Sequence, residues 1–144
     1  MAENNLGLSV GATFSFTKTV SEQDVADFAR VSGDYNPLHL DAGYAGKTRF
    51  KQRIAHGALT LAFVSAVLGT KLVGREGTVV FLGQSVRFLR PVLLGDTVTA
   101  TCQVTKVDTE KRIVTLACTC ANQKGAELLS GEATVLIDPM PFGS

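Results

Sequence analysis

The segment at 57–70, GALTLAFVSAVLGT, carries no charged residue and constrains the fold more than any other part of the chain. Its 14 residues are too few to cross a bilayer as a helix, which needs about 20. A helix that is apolar on every side must instead be buried in protein. The rest of the chain therefore has to supply a surface that wraps this helix.

The second half of the sequence supplies that surface as a series of strands. Val98, Ala100, Cys102 and Val104 alternate with polar residues, as expected of a strand with one buried face. Four segments have strand character: 78–90, 97–105, 112–121 and 126–138. Because polar turns separate the last three, they predict an antiparallel meander. We predict the α+β class and a single hot-dog fold, a long antiparallel sheet wrapped around the apolar helix.

The first half adds smaller elements to the same unit. Residues 13–20 predict a short strand, and Ser21 to Asp24 form a variant capping box at the start of a helix that ends near Gly33. A helical turn is expected at 41–45. At 144 residues the chain has the size of one domain, and no linker or repeat divides it. We therefore predict a single domain over 1–144.

The charge balance argues against some classes of partner. Fourteen Lys and Arg face thirteen Asp and Glu, which gives no reason to expect binding to nucleic acid or to an anionic membrane. The residues Cys102, Cys118 and Cys120 form no C-x-x-C pair, so we expect reduced core cysteines. The N-terminus has no secretory apolar segment, and the C-terminus is no peroxisomal address. A cytoplasmic protein is expected; an organellar one would need a leader that has been removed.

Both histidines of the chain, His39 and His56, lie in an irregular stretch between the two longer helices. The first follows Asp34 by five residues in Ser-Gly-Asp-Tyr-Asn-Pro-Leu-His, where Pro37 stiffens the loop. A carboxylate and an imidazole that share one water can move the two protons that hydration of an activated alkene requires. Gly57, at the start of the apolar helix, offers a free N–H to a developing oxyanion. This stretch is our candidate site.

The sequence Ser-Gly-Asp-Tyr-Asn-Pro-Leu-His-Leu-Asp at 32–41, followed by Ile-Ala-His-Gly at 54–57, resembles the signature of the MaoC-like (R)-specific enoyl-CoA hydratases, or hydratase 2. The likeness continues in Phe-Leu-Gly-Gln-Ser at 81–85, Arg-Pro-Val at 90–92 and Gly-Asp-Thr-Val at 95–98, and it spans about 14–137. It implies a homodimer that hydrates trans-2-enoyl thioesters to (R)-3-hydroxyacyl thioesters, with an enoyl-CoA or an enoyl-carrier protein as substrate. No metal or organic cofactor is implied.

The resemblance also assigns roles to residues of the motif. Asp34 and His39 become the catalytic pair, the Gly57 N–H the oxyanion donor, and Ser65 a support for Asp34. Asn36 braces the loop, and we expect the substrate-binding residues to be Asn36, His56, Lys47 and Arg49. The order in which Asp34 and His39 act stays open, because groups that share a water titrate as a unit.

The residues around the motif have less distinctive signals. Substrate phosphate could be bound by the basic run Lys47, Arg49, Lys51 and Arg53, and by Arg87 and Arg90. His56 is expected to hydrogen-bond within the loop, and Thr60 to bond back to a carbonyl four residues earlier. A metal site built from Asp34, His39, Asp41 and His56 matches no metal motif.

Four functions therefore remain open from the sequence. The first is the enoyl-CoA hydratase. The second is a 3-hydroxyacyl-carrier-protein dehydratase, which runs the same chemistry in reverse. The third is an acyl-CoA thioesterase on the same fold. The fourth is a non-catalytic acyl-binding subunit, which would not need both Asp34 and His39.

Overall fold

The computed structural model describes residues 5–139, which form five strands and four helices. In chain order they are β1 (Thr13–Thr19), α1 (Glu22–Ser32), α2 (Pro37–Leu40), α3 (Ala42–Gly46), α4 (Gly57–Thr70), β2 (Thr78–Phe88), β3 (Thr97–Asp108), β4 (Ile113–Ala121) and β5 (Glu127–Asp138). Residues 1–4 and 140–144 lie outside the described chain, so the expectations drawn from the termini and the outer limits of the 1–144 domain fall partly there.

All five strands join one antiparallel sheet in the order β1-β3-β4-β5-β2. The predicted meander is confirmed for β3, β4 and β5, which follow one another in both chain and sheet. The strand β2 instead crosses to the far edge and pairs only with β5. This crossing brings Phe88, the last residue of β2, beside the start of α4.

The helix α4 begins and ends where the uncharged segment does, and the concave face of the sheet packs on it. Leu59, Phe63, Val64, Val67 and Leu68 are buried there. The expectation of burial on every side is wrong for the single chain. The face that carries Ala58, Ala62, Ser65 and Gly69 is exposed, because the sheet curves around only part of the helix.

The helix α1 has the predicted termini. Ser21 accepts a hydrogen bond from the Asp24 N–H at 3.0 Å, the Asp24 carboxylate accepts one from the Ser21 N–H at 2.9 Å, and Gly33 closes the helix with a φ of 82°. A left-handed residue at this position favours glycine. The chain therefore leaves α1 in a fixed direction, straight into the segment that starts at Asp34.

The sheet interior also holds the three cysteines as buried, free thiols, which confirms that they belong to the core. Cys102 and Cys118 face each other across β3 and β4, with their Sγ atoms 3.6 Å apart. Burial raises the pKa of Cys120 to about 12, so its thiol stays protonated.

Between residues 5 and 139, no helix is long and apolar enough to cross a membrane.

Candidate active site

The loop that carries Asp34 is held by its own side chains. The Asp34 carboxylate accepts a hydrogen bond from the Asn36 N–H at 3.1 Å, and the Asn36 side-chain oxygen accepts one from the Leu38 N–H at 3.0 Å. Asn36 thus caps α2, whose first residue is Pro37. The bracing role implied for Asn36 fits this geometry. Its side chain is exposed and is not among those that line the cleft described below.

His39 is fixed in one tautomer by the backbone. Its Nδ1 lies 2.7 Å from the Ile54 carbonyl oxygen, and the side chain is only 7% exposed. A carbonyl can only accept a hydrogen bond, so Nδ1 carries the proton and Nε2 has the free lone pair in neutral His39. Burial lowers the pKa of His39, opposed by its hydrogen bond to Ile54. The neutral form of His39 is therefore favoured, with Nε2 able to accept a proton.

His56 contacts both the Asp34 loop and the His39 ring. Its Nε2 donates to the Asp34 carbonyl oxygen at 3.0 Å, so the expectation that it hydrogen-bonds within the loop is confirmed. The His56 ring packs on the His39 ring with centroids 4.0 Å apart, and on Phe28 at 4.8 Å. It is 1% exposed and does not line the cleft. We therefore regard it as a positioning residue rather than a substrate contact.

The carboxylate and the two imidazoles converge. Asp34, His39 and His56 each place one oxygen or nitrogen atom within 4.8 Å of the others. Three such ligands could in principle hold a metal ion. The two histidine rings are tilted by 33°, and one nitrogen of each already meets a backbone carbonyl, His39 Nδ1 that of Ile54 and His56 Nε2 that of Asp34. Each ring thus keeps one nitrogen for a further partner. A water between Asp34 and His39 needs only these two groups and is the partner that acid–base chemistry requires.

Gly57 lies next to this group and begins α4. Its N–H has no acceptor among residues 5–139, as expected at the first position of a helix. The free N–H, at the positive end of the helix dipole, suits a developing negative charge. A Cβ at Gly57 would lie 3.0 Å from the Phe88 ring, so a larger residue would force that ring to move.

A cleft of about 430 Å³ opens over His39 and Gly57, within the size range of small-molecule sites. Its lining is His39, Arg49, Phe50, Ile54, Ala55, Gly57, Ala58, Thr60, Phe88, Leu89, Arg90, Pro91, Val92 and Leu128. Most of these side chains are apolar, and two are guanidinium groups. Such a lining suits a ligand with an apolar part and an anionic part.

Several candidate residues are placed elsewhere. Ser65 lies on the exposed face of α4, about 12 Å along the helix from Gly57, and no hydrogen bond joins it to Asp34 in the described chain. Lys47 is exposed at the end of α3 and is not in the cleft lining. Arg53 donates to the His39 carbonyl oxygen at 2.8 Å and pairs with Glu22. It therefore anchors the loop to α1 instead of binding phosphate.

The expectation for Thr60 is wrong. Its hydroxyl is buried without a hydrogen-bond partner among residues 5–139, so it does not bond back to the His56 carbonyl. The His56 oxygen instead accepts from the backbone N–H of Leu59 at 3.1 Å and of Thr60 at 3.4 Å. Both bonds close the first turn of α4 with backbone donors, and the Thr60 hydroxyl takes no part in them.

The family model described as a MaoC like domain matches residues 7–124 of the chain. The chain belongs to the MaoC-like domain family. The (R)-specific enoyl-CoA hydratase of Rhodospirillum rubrum is 47% identical over 127 residues, which cover 88% of this MaoC-like chain and 86% of the relative. The 3-hydroxybutyryl-CoA dehydratase of Methylorubrum extorquens is 43% identical, with coverage of 90% and 81%.

A solved structure, the (R)-hydratase from Aeromonas caviae involved in PHA biosynthesis, superposes with a TM-score of 0.84 at 41% identity. The match covers 90% of this MaoC-like chain and 97% of the other. The predicted family and the predicted hot-dog fold are therefore confirmed.

Sequence reasoning missed Phe88 as a residue of the MaoC-like site, and it noted Arg90 only in the family resemblance and as a possible phosphate contact. Both line the cleft, at and just beyond the end of β2. The apolar run before them marked a strand, but nothing in the sequence indicated that this strand ends beside Gly57. Only the crossing of β2 to the sheet edge next to β5 brings them there.

Proposed function

We propose that this chain is an (R)-specific enoyl-CoA hydratase, which adds water to trans-2-enoyl-CoA to give (R)-3-hydroxyacyl-CoA. The observation that carries the proposal is the approach of an Asp34 oxygen and a His39 nitrogen to within 4.8 Å. His39 and Gly57 both line the cleft, and the Gly57 N–H has no acceptor among residues 5–139. The names of the relatives from Rhodospirillum rubrum and Aeromonas caviae support the same reaction and the same hand.

In this mechanism the thioester oxygen accepts a hydrogen bond from the Gly57 N–H, and a water lies between Asp34 and His39. The water oxygen bonds to carbon 3 of the substrate while one of its protons passes to the pair. The carbon–carbon π electrons move towards the thioester, and the enolate charge collects on the oxygen beside Gly57. A proton then bonds to carbon 2. The product carries the hydroxyl on carbon 3.

The tautomer of His39 favours one division of labour. Its Nδ1–H is committed to Ile54, so Nε2 can only accept a proton from the water in the neutral state. The imidazolium formed in this way, or Asp34 after a proton transfer, can return a proton to carbon 2. We propose that the reaction needs no metal or organic cofactor, because the pair and the amide supply every proton movement and the oxyanion donor.

One absorbance assay with crotonyl-CoA tests the function. We expect the conjugated enoyl absorbance to disappear without release of free thiol, and chiral analysis to find (R)-3-hydroxybutyryl-CoA. Release of free thiol would instead identify a thioesterase, and no reaction at all would favour a non-catalytic subunit. A much higher rate with crotonyl-carrier protein than with crotonyl-CoA would indicate the carrier-protein dehydratase.

The buried position of His39 predicts the acid side of the pH profile. Because burial lowers its pKa, His39 stays neutral and active below the ordinary histidine value of about 6.5. We expect kcat/KM for crotonyl-CoA to fall on acidification with a midpoint below that value, as Nε2 gains a proton and can no longer accept one. A midpoint above it, with the circular dichroism spectrum unchanged, would contradict this role.

Arg49 is proposed to contact a phosphate of coenzyme A. It lines the cleft, with its guanidinium carbon 5.1 Å from the centroid of the Phe50 ring. We expect Arg49→Ala to raise KM for crotonyl-CoA about 5- to 10-fold with little change in kcat, the effect of losing one solvent-exposed charged contact. KM for the crotonyl thioester of N-acetylcysteamine, which has no phosphate, should not change. The matched control is Lys47→Ala, whose side chain is outside the cleft lining.

We also propose a homodimer. The edge strand β2 exposes Val80, Phe81 and Leu82 to 40%, 40% and 51%, and such an apolar edge invites pairing with a second copy. We expect the second copy to bury the exposed face of α4 that bears Ser65 as well. Any support of Asp34 by Ser65 would have to come across that interface. Light scattering should give about twice the chain mass of 15.2 kDa, and the mass of one chain would contradict the proposal.

The proposed location is a reducing compartment such as the cytoplasm. Cys102 and Cys118 lie opposite each other and remain free thiols. Neighbouring free thiols persist where the medium keeps them reduced.

A further inference from the structure

The Phe88 ring is the part of the cleft wall that lies closest to the Gly57 backbone. Its Cε1, Cδ1 and Cζ atoms are 3.0, 3.1 and 3.2 Å from the position that a Cβ on Gly57 would occupy. Two bonds of about 1.5 Å separate a Cβ from its own amide nitrogen, so the ring edge lies within about 5.5 Å of that nitrogen. Gly57 and Phe88 both line the cleft, so a group bound at the Gly57 amide lies in the part of the cleft that the ring borders.

The backbone beneath the ring is fixed. Phe88 is in register with Leu129 of β5, and the next residue, Leu89, donates its N–H to the Leu128 carbonyl oxygen at 2.8 Å. Leu128 itself lines the cleft. The wall can move at this point only by rotation of the Phe88 side chain.

The ring does not serve the core. Phe88 is 54% exposed, whereas the buried cluster around α4 is made by other residues such as Phe63, which is 5% exposed. Outside that cluster, this large ring lies against the Gly57 backbone. It narrows the cleft where the reacting carbons lie.

We propose that Phe88 restricts the site to thioesters without a branch at carbon 2, an inference that rests on the proposed hydratase function. With the thioester oxygen on the Gly57 N–H, carbon 2 is two bonds from that oxygen and lies beside the ring. A hydrogen on carbon 2 fits there, and a methyl group meets the ring. Straight-chain enoyl thioesters are then accepted, and 2-methyl-branched ones are rejected.

The test compares kcat/KM for crotonyl-CoA and for 2-methylcrotonyl-CoA in the full-length protein. The intrinsic difference in reactivity between the two substrates cancels when their ratio is compared between variants. We expect Phe88→Ala to raise the ratio of branched to straight substrate at least about 10-fold, the usual scale for one methyl group in a tight pocket. Phe88→Leu should give a smaller rise, and it keeps the test available if the alanine variant does not fold.

Tyr44→Ala is the matched control. Tyr44 is an aromatic residue 52% exposed, close to the value for Phe88, and it is not part of the cleft lining. Its removal should leave the ratio unchanged. Equal losses for both substrates in Phe88→Ala, or a wild-type protein that hydrates both substrates alike, would overturn the inference. If the wild-type protein does not hydrate crotonyl-CoA, the proposed function is contradicted, and so is the inference that rests on it.

Discussion

Replacing Asp34 with Asn should lower kcat for crotonyl-CoA hydration at least ~100-fold, the scale of a positioned acid or base. The asparagine keeps an oxygen that can accept the Asn36 N–H, as the carboxylate does at 3.1 Å, so the loop keeps its shape. What disappears is the negative charge and the basicity of the side chain. The loss should therefore fall on kcat with little change in KM. The measurement is steady-state kinetics by enoyl absorbance.

Asp41→Asn is the control for this variant. Asp41 is also an exposed carboxylate of the same segment, and it caps α3 by accepting the Tyr44 N–H at 3.0 Å. Asparagine caps a helix as well as aspartate does, so this variant should keep full activity. Near-full activity of Asp34→Asn would remove Asp34 from the mechanism.

The second large effect is expected from His39→Asn, again a loss of at least ~100-fold in kcat. The asparagine amide takes the place of Nδ1 and can still donate to the Ile54 carbonyl, which His39 does at 2.7 Å. The variant lacks the second nitrogen, Nε2, and so cannot accept the proton of the water. The acid limb that His39 causes in the pH profile should disappear with it.

His39→Gln separates catalysis from packing. Glutamine places its amide nearer the position of Nε2 and loses the Nδ1 contact to Ile54, and an amide is no base in either place. Both variants should therefore be equally slow, although only one keeps the Ile54 contact. Substantial activity in His39→Asn with a native circular dichroism spectrum would show that Nε2 is not the base.

Local sequence signals predicted the elements well because each had a strong local cause. The end of α4 follows from an uncharged run that stops before Lys71, and the bounds of α1 follow from the capping box at Ser21 and the glycine at 33. The alternation of Val98, Ala100 and Cys102 predicted a buried face, and these residues are fully buried. The meander from β3 to β5 followed because its turns are short.

Contacts between distant segments could not be predicted in the same way. The apolar run of β2 is compatible with several places in the sheet, so its position at the edge, and that of Phe88 beside Gly57, had no sequence signal. No sequence signal predicted the exposure of Ala58 and Ala62 either. Composition shows that a helix is apolar, but it does not show how far a sheet curves around that helix. The orphaned Thr60 hydroxyl is likewise a matter of rotamer and packing.

In the candidate site, too, contacts within one segment were predicted and contacts between distant segments were not. The pairing of Asp34 with His39 was predicted because both lie in one stiff loop, and the structure brings them within 4.8 Å of each other. Arg53 has a different role from the one its basic neighbours suggested, because its partner Glu22 is 31 residues away in the chain. Charge spacing alone does not distinguish a phosphate contact from an anchor.

A double-mutant cycle on Asp34 and His39 tests the central claim most directly. If both side chains act on one water, each single variant already disables the unit, so the variant that combines Asp34→Asn and His39→Asn should hydrate crotonyl-CoA about as slowly as either alone. If the two losses instead multiply, the residues act independently, and the account of a shared water beside Gly57 is contradicted.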